Sequence, residues 1–240
     1  MKNQLLVLAS LYMLMTNSSF AMGKKLTAPQ PPIQTPVSCH TESAGVSVRA
    51  SKGAMQVDFC AYGARDIETG KRCLPTFKDI TFDNYSLALD TNHTSHCETN
   101  VARAYTLNIP GSPVSEHSFS TEDEFGIQHS GIVHIAKIEL LNFPKQVSLG
   151  SSLLINFNAE AVLAEYEEEK SYILATEGSP VTILGFALDS SGIIPSANIR
   201  RVRPEGGLEA LSLCRHISKY VDGYGYSSIY FDGVVFNVNP

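Results

Sequence analysis

The chain has 240 residues, of which 43% are hydrophobic, so it is long enough and apolar enough to bury a substantial core. Its formal net charge is −6 and its lysines and arginines form no basic patch, which argues against nucleic acid or an anionic membrane as a partner. Length alone allows one large domain or two small ones.

The first 21 residues have the three parts of a secretory signal peptide. Lys2 supplies a positive start, Leu5–Met15 is an uncharged apolar run, and Ser19–Ala21 places small residues where a signal peptidase cuts. The apolar run is shorter than the ~20 residues that a membrane-spanning helix needs. We therefore expect residues 1–21 to be removed and the mature chain to be secreted or periplasmic, without membrane insertion.

A proline-rich leader follows at residues 22–38. It has no hydrophobic periodicity, and proline removes backbone donors and favours extended conformations. The sequence therefore predicts a flexible tether between the signal peptide and the folded part of the chain.

From Cys39 onward apolar and polar residues alternate, which is typical of β-strands with one face in water. The alternating apolar positions include Val46, Val48, Met55, Val57, Phe59, Tyr105, Leu107 and Ile109. Pro110–Pro113 is the clearest internal break. It could separate a disulfide-containing β lobe at 39–110 from a β-sandwich lobe at 111–240, and one continuous domain at 39–240 is the alternative.

The stretch Leu153–Leu163 has apolar residues at every second position and is predicted to be a long strand that runs into an acidic turn. The overlapping residues 158–170 also have high helix propensity, so a helix there stays open as an alternative.

The C-terminal part of the chain predicts the single helix of the protein. Residues 205–221 follow Pro204 and carry apolar side chains at every third or fourth position, and Asp222-Gly223 supplies a stop signal. A final β-hairpin is expected around Asp232-Gly233, between Tyr226–Phe231 and Val234–Val238. The predicted fold is thus mostly β, an antiparallel β-sandwich of one or two lobes with one C-terminal helix and a final hairpin.

Four of the five cysteines, Cys39, Cys60, Cys73 and Cys97, lie in one segment, as in disulfide-stabilised exported domains. Of the three ways to pair them we favour Cys39–Cys60 with Cys73–Cys97, because each closes a short local loop. Cys214 lies on the apolar stripe of the predicted helix, so we expect a buried thiol there. A disulfide from Cys214 to one of the other four is the alternative.

Two pairs of histidines are candidate metal ligands. His93 and His96 are three residues apart in the sequence NHTSHC, and His129 and His134 flank the start of a predicted strand. Imidazole nitrogen and nearby carboxylates would suit zinc or calcium. Each histidine is better explained as an ordinary loop or core residue, and the His-Glu-x-x-His motif of zinc hydrolases is absent. We therefore expect no cofactor.

Tyr220, Tyr224, Tyr226 and Tyr230 crowd the end of the chain and form a candidate binding surface. A tyrosine presents a flat apolar ring with a polar tip, which suits contacts with proteins or glycans. Tyrosine is also a favoured strand residue, so these four could equally be part of a sheet.

These features predict a secreted, disulfide-stabilised β-sandwich that binds an extracellular protein or glycan, as a bacterial exported effector or adhesin would. The sequence has no P-loop, no Gly-x-Gly-x-x-Gly and no Gly-x-Ser-x-Gly, so binding is expected rather than catalysis. The alternative is a secreted hydrolase or metal-binding protein whose site is assembled from distant histidines and carboxylates.

Overall fold

The computed structural model describes residues 39–67, 69–97, 102–176, 183–187, 192–194, 196–197 and 205–240. The predicted signal peptide and leader lie outside these residues. Strands dominate the described chain, so the prediction of a mostly β protein is confirmed. The strands are β1 (Thr41–Ala50), β2 (Ala54–Gly63), β3 (Phe77–Phe82), β4 (Tyr85–Ser86), β5 (Ala88–Leu89), β6 (Arg103–Pro110), β7 (Glu116–Asp123), β8 (Gln128–His134), β9 (Ile138–Leu141), β10 (Gln146–Ser148), β11 (Leu153–Leu154), β12 (Asn156–Ala159), β13 (Glu167–Thr176), β14 (Ile183–Ala187), β15 (Ile193–Ile194), β16 (Gly207–Val221) and β17 (Tyr224–Asn239).

The largest element is a nine-stranded sheet in the order β14-β13-β16-β17-β1-β2-β6-β5, with β10 beside the end of β17. β1 and β10 pair with β17 in parallel, whereas the other neighbours in this sheet are antiparallel. β1 and β2 come from the first predicted lobe and β17 comes from the second. The two predicted lobes therefore contribute strands to one sheet.

A four-stranded sheet in the order β4-β3-β7-β8 packs against one face of the larger sheet. Phe59 of β2 is fully buried at this contact, with its ring centroid 5.4 Å from that of Phe119 and 5.0 Å from that of Phe77. Phe119 also meets Tyr226 of β17 edge to face. Successive side chains of a strand point to opposite faces of a sheet. The residues between these core positions therefore lie on the other face of the larger sheet, which is more polar.

The C-terminal helix predicted at 205–221 is wrong, because Gly207–Val221 form strand β16. β16 pairs with β13 on one side and with β17 on the other, and residues 210–215 are all buried. A central strand that is covered on both faces is apolar at odd and even positions alike. The sequence of such a strand shows no alternation of apolar and polar residues. In β16 the apolar residues happen to recur at intervals of three and four, which is the pattern of an amphipathic helix.

The final hairpin exists, but its turn lies at Asp222-Gly223 and not at Asp232-Gly233. Asp222 and Gly223 have positive φ angles of 50° and 84°, which a two-residue hairpin turn requires. Asp232 and Gly233 lie inside β17, opposite Leu213 and Ser212 of β16. The hairpin therefore joins β16 to β17, and the two segments that were predicted as its arms form one continuous strand.

The four clustered cysteines form two disulfides, as predicted, but the favoured pairing is wrong. The bonds are Cys39–Cys73 and Cys60–Cys97. The β1–β2 register explains the difference, because it places Cys60 opposite Gly45, far along β1 from Cys39. The fifth cysteine, Cys214, is buried in β16 and takes no part in either disulfide.

The long strand predicted for Leu153–Leu163 is divided into β11, which pairs with β15, and β12, which pairs with β9. The residues between Ala159 and the start of β13 form no strand. The helix alternative for residues 158–170 is not formed either. Tyr166 ties this connection to β8, the last strand of the four-stranded sheet. Its hydroxyl donates to the Ile132 carbonyl at 2.9 Å and accepts from the His134 N–H at 3.1 Å. The hydroxyl thus satisfies two backbone groups of β8 that a further strand would otherwise bind.

Candidate binding groove

An open groove of 670 Å³ crosses the polar face of the nine-stranded sheet. Small residues at alternate positions of β1, β16 and β17 form its floor, and most of their neighbours along each strand are buried. We call it the serine groove. Its floor consists of Ser43, Gly45, Ser47, Ser218, Gly225 and Ser227.

The pairing register places the floor residues side by side. Ser47 of β1 is opposite Ser227 of β17, which is in turn opposite Ser218 of β16. Gly45 is opposite Gly225 in the same way. Neighbouring strands lie ~4.8 Å apart, so the three serines form a row across the sheet and the glycine pair deepens the groove beside it.

The serine hydroxyls of the floor are available to a ligand. Ser43, Ser47, Ser218 and Ser227 are half-buried, and within the described part of the chain their hydroxyls make no hydrogen bond to the protein. Each hydroxyl can donate one hydrogen bond and accept two. The floor therefore offers a line of free donors and acceptors at a fixed spacing.

One wall of the serine groove is fixed by a disulfide. Cys60 and Tyr62 of β2 form this wall, and Cys60 is bonded to Cys97. The Cys97 Sγ also lies 3.6 Å from the Phe59 carbonyl oxygen. The wall is thereby held by covalent as well as non-covalent contacts.

The opposite wall is formed by Glu165, Glu167 and Tyr220. Tyr220 is 67% exposed, and one edge of its ring lies over Gly225, since a β-carbon built on that glycine would be 3.6 Å from the ring. Glu167 is opposite Ser218 and exposed, and it forms no ion pair with any described residue. This side of the groove is therefore acidic and aromatic.

Lys219, which also lines the groove, already has partners. The Lys219 Nζ lies 3.8 Å from a carboxylate oxygen of Glu165 and 4.5 Å from the centroid of the Tyr166 ring. Most of the Lys219 side chain is covered. Among the residues that the structure describes, none supplies a compensating positive charge to Glu167, the other carboxylate of this wall.

A buried polar network continues the serine row at its other end. Asp58 of β2 is opposite Ser47 and is only 1% exposed. Its carboxylate accepts hydrogen bonds from Arg49 at 3.0 Å, from Gln56 at 3.0 Å and from Thr106 at 2.8 Å. The Arg49 guanidinium compensates the buried charge, so this end of the row is polar and rigid.

The loop with the sequence NHTSHC contacts this network. The Gln56 side-chain amide donates to the Thr94 carbonyl at 3.1 Å, and Cys97 ties the end of the loop to β2. Asp90 organises the loop by accepting the backbone N–H groups of Thr94 at 3.1 Å and Ser95 at 2.7 Å. Burial works to raise the pKa of Asp90, but these hydrogen bonds outweigh it and lower the pKa to about 2.

The histidines predicted as metal ligands lie in two separate places. His93 and His96 belong to the NHTSHC loop, where burial and the Arg49 charge lower the pKa of His96. His129 and His134 belong to β8 in the four-stranded sheet. Within the residues that the structure describes, no three His, Cys, Asp or Glu side chains form a group that could hold a metal ion.

The predicted tyrosine surface is wrong for three of its four members. Tyr224, Tyr226 and Tyr230 are buried, because they occupy alternate positions of β17 on the face that packs against the core. Tyr220 is the exposed member, and it lines the serine groove.

The floor of the groove was not predicted from the sequence. The sequence does contain a signal for it, because small residues recur at alternate positions in Ser43–Ser47 of β1 and in Gly225–Ser227 of β17. That pattern indicates a face without large side chains. It does not indicate that the two segments are neighbours, because their pairing is parallel and joins distant parts of the chain.

Comparison with known proteins gives no family assignment, since neither family models nor curated sequences match the chain. In the part of the chain described here, no helix is both long and apolar enough to cross a membrane.

Proposed function

We propose that this protein is an exported β-sandwich protein that acts by binding an extracellular ligand in the serine groove. The observation that carries the proposal is the row of unbonded serine hydroxyls on a rigid sheet between two walls. Binding sites are concave and contain a few fixed polar groups that orient the ligand, and the groove has both properties.

The proposed export is supported by two features. Two disulfides are stable in an oxidising environment such as the periplasm or the extracellular space. The pattern of residues 1–21 is that of a secretory signal peptide. A bacterial effector or adhesin-like role would fit both features.

The proposal is tested by filling the groove. Ser227→Trp places a large side chain on the floor between Ser47 and Ser218, and Ser130→Trp is the matched control, because Ser130 is an exposed serine of β8 in the other sheet. Wild-type protein and both variants are applied to an array of glycans and linear peptides. We expect wild type and Ser130→Trp to bind the same probes and Ser227→Trp to lose them.

Two results would contradict the binding function. One is a wild-type protein that binds no probe, and the other is an equal response from Ser227→Trp and wild type. Denaturation midpoints of the three proteins, measured in parallel, show whether a loss of binding reflects a loss of folding.

A further inference from the structure

We infer that the ligand of the serine groove is a neutral oligosaccharide. The inference rests on the proposed binding function and adds the chemical class of the ligand. It follows from the donors and acceptors of the floor, the charge of the walls and the dimensions of the groove.

The floor matches the chemistry of a sugar chain. Ser47, Ser218 and Ser227 present unbonded hydroxyls in a row. A sugar likewise carries hydroxyls that both donate and accept, so the two partners can exchange hydrogen bonds in either direction. The backbone groups of these central strands are already used in sheet pairing, so they leave the side chains as the polar groups that a ligand meets.

The charge of the walls argues against an anionic ligand. Glu167 faces the groove without an ion-pair partner among the described residues, and Lys219 is occupied by Glu165 and by the Tyr166 ring. Among the described residues no free cation lies beside this carboxylate, so an acidic glycan or a phosphate would be repelled by it. A neutral sugar would donate a hydroxyl to Glu167, which is a charge-assisted hydrogen bond and therefore a strong one.

The floor also argues against a protein partner. Protein interfaces have an apolar centre with large anchoring side chains, and a polar rim surrounds it. The floor of the serine groove has no such anchoring side chain, because it consists of serine and glycine, and the aromatic rings of Tyr62 and Tyr220 stand in the two walls. Aromatic rings beside a hydroxyl-lined floor can pack against the C–H faces of sugar rings.

The length of the groove fits a chain of several sugars. It crosses β2, β1, β17, β16 and the start of β13, which are four successive inter-strand spacings. At ~4.8 Å for each spacing this is roughly 19 Å. A single sugar would occupy only part of the serine row.

The test measures affinity for cello-, manno- and chito-oligosaccharides, with hyaluronan fragments and linear peptides as the competing classes. We expect saturable binding of at least one neutral series, with little dependence on salt because no net charge is neutralised. Ser47→Ala and Ser227→Ala should each weaken it roughly fivefold, the effect of removing one hydrogen bond. Ser130→Ala on β8 is the matched control and should leave the affinity unchanged.

Failure of this inference differs from failure of the binding function. If only peptides or hyaluronan fragments bind, and the two serine variants of the groove weaken that binding, the groove is a binding site and the neutral sugar is wrong. If neutral oligosaccharides bind equally to wild type, Ser47→Ala and Ser227→Trp, the ligand lies elsewhere and both proposals are overturned.

Discussion

The ring of Tyr226 fills the space above Gly131. A β-carbon built on Gly131 would lie 2.6 Å from the Tyr226 hydroxyl oxygen and 2.7 Å from Cε1 of the same ring. Tyr226 belongs to the nine-stranded sheet and Gly131 to the four-stranded sheet, so this contact joins the two sheets directly. Any side chain at position 131 would push the ring or the strand away.

Gly131→Ala should therefore lower the free energy of unfolding by about 1–3 kcal/mol, because it overpacks a buried contact. The measurement is the urea-induced unfolding of wild type and variant. Gly53→Ala is the matched control, since a β-carbon at Gly53 meets nothing within 4 Å. We expect the control to change stability by no more than about 0.5 kcal/mol. Equal effects of the two substitutions on the free energy of unfolding would contradict the contact between Gly131 and the Tyr226 ring.

The low pKa of Asp90 makes the NHTSHC loop sensitive to acid. Its pKa falls from 3.8 to about 2 on folding, so the ionised carboxylate stabilises the fold above pH 3.8 and this contribution is lost as the pH falls toward 2. Asp90→Asn should reduce stability at about pH 6, and the difference from wild type should shrink between about pH 4 and pH 2. The measurement is the urea midpoint as a function of pH.

Glu116→Gln is the matched control, because it removes a carboxylate from an exposed position outside the loop. It should change stability by no more than about 0.5 kcal/mol. A pH-independent difference for Asp90→Asn would show that Asp90 does not hold the loop through its charge.

The disulfide Cys60–Cys97 should secure the NHTSHC loop and one wall of the serine groove. Replacing both cysteines by alanine should lower stability by roughly 2–4 kcal/mol and raise hydrogen exchange in residues 91–97. The same replacement at Cys39 and Cys73 is the control, because that bond lies outside the loop. It should cost a similar amount of stability but leave exchange in the loop unchanged. Mass spectrometry of non-reduced peptides checks the pairing itself.

The sequence predicts those strands in which apolar and polar residues alternate. They do so in the second half of β1 and the first half of β2, where the apolar positions Val46, Val48, Val57 and Phe59 are all buried. β16 is covered on both faces, so its sequence lacks this alternation and predicts a helix instead. Helix propensity and hydrophobic periodicity are properties of one segment considered by itself. Whether residues 207–221 form a helix or a strand depends on β13 and β17, the two strands that pair with them.

Long-range strand pairing also explains the other differences between the sequence prediction and the structure. Two Asp-Gly pairs satisfy the rule for a hairpin turn, and only the pairing of β16 with β17 selects Asp222-Gly223. The disulfide partners and the floor of the serine groove depend on register in the same way. Ser47 and Ser227 are unremarkable when each is considered within its own segment, and they become a candidate site only as cross-strand neighbours.

The parallel pairing of β1 with β17 has a consequence for the order of assembly. Its partners lie at opposite ends of the described chain, since Ala44 meets Tyr224 and Ala50 meets Tyr230. Until β17 has been synthesised, β1 has β2 as its only neighbour among the described strands of this sheet. Contacts of such high sequence separation belong to slow-folding topologies. The floor of the serine groove should therefore form late, in the same step that pairs β1 with β17.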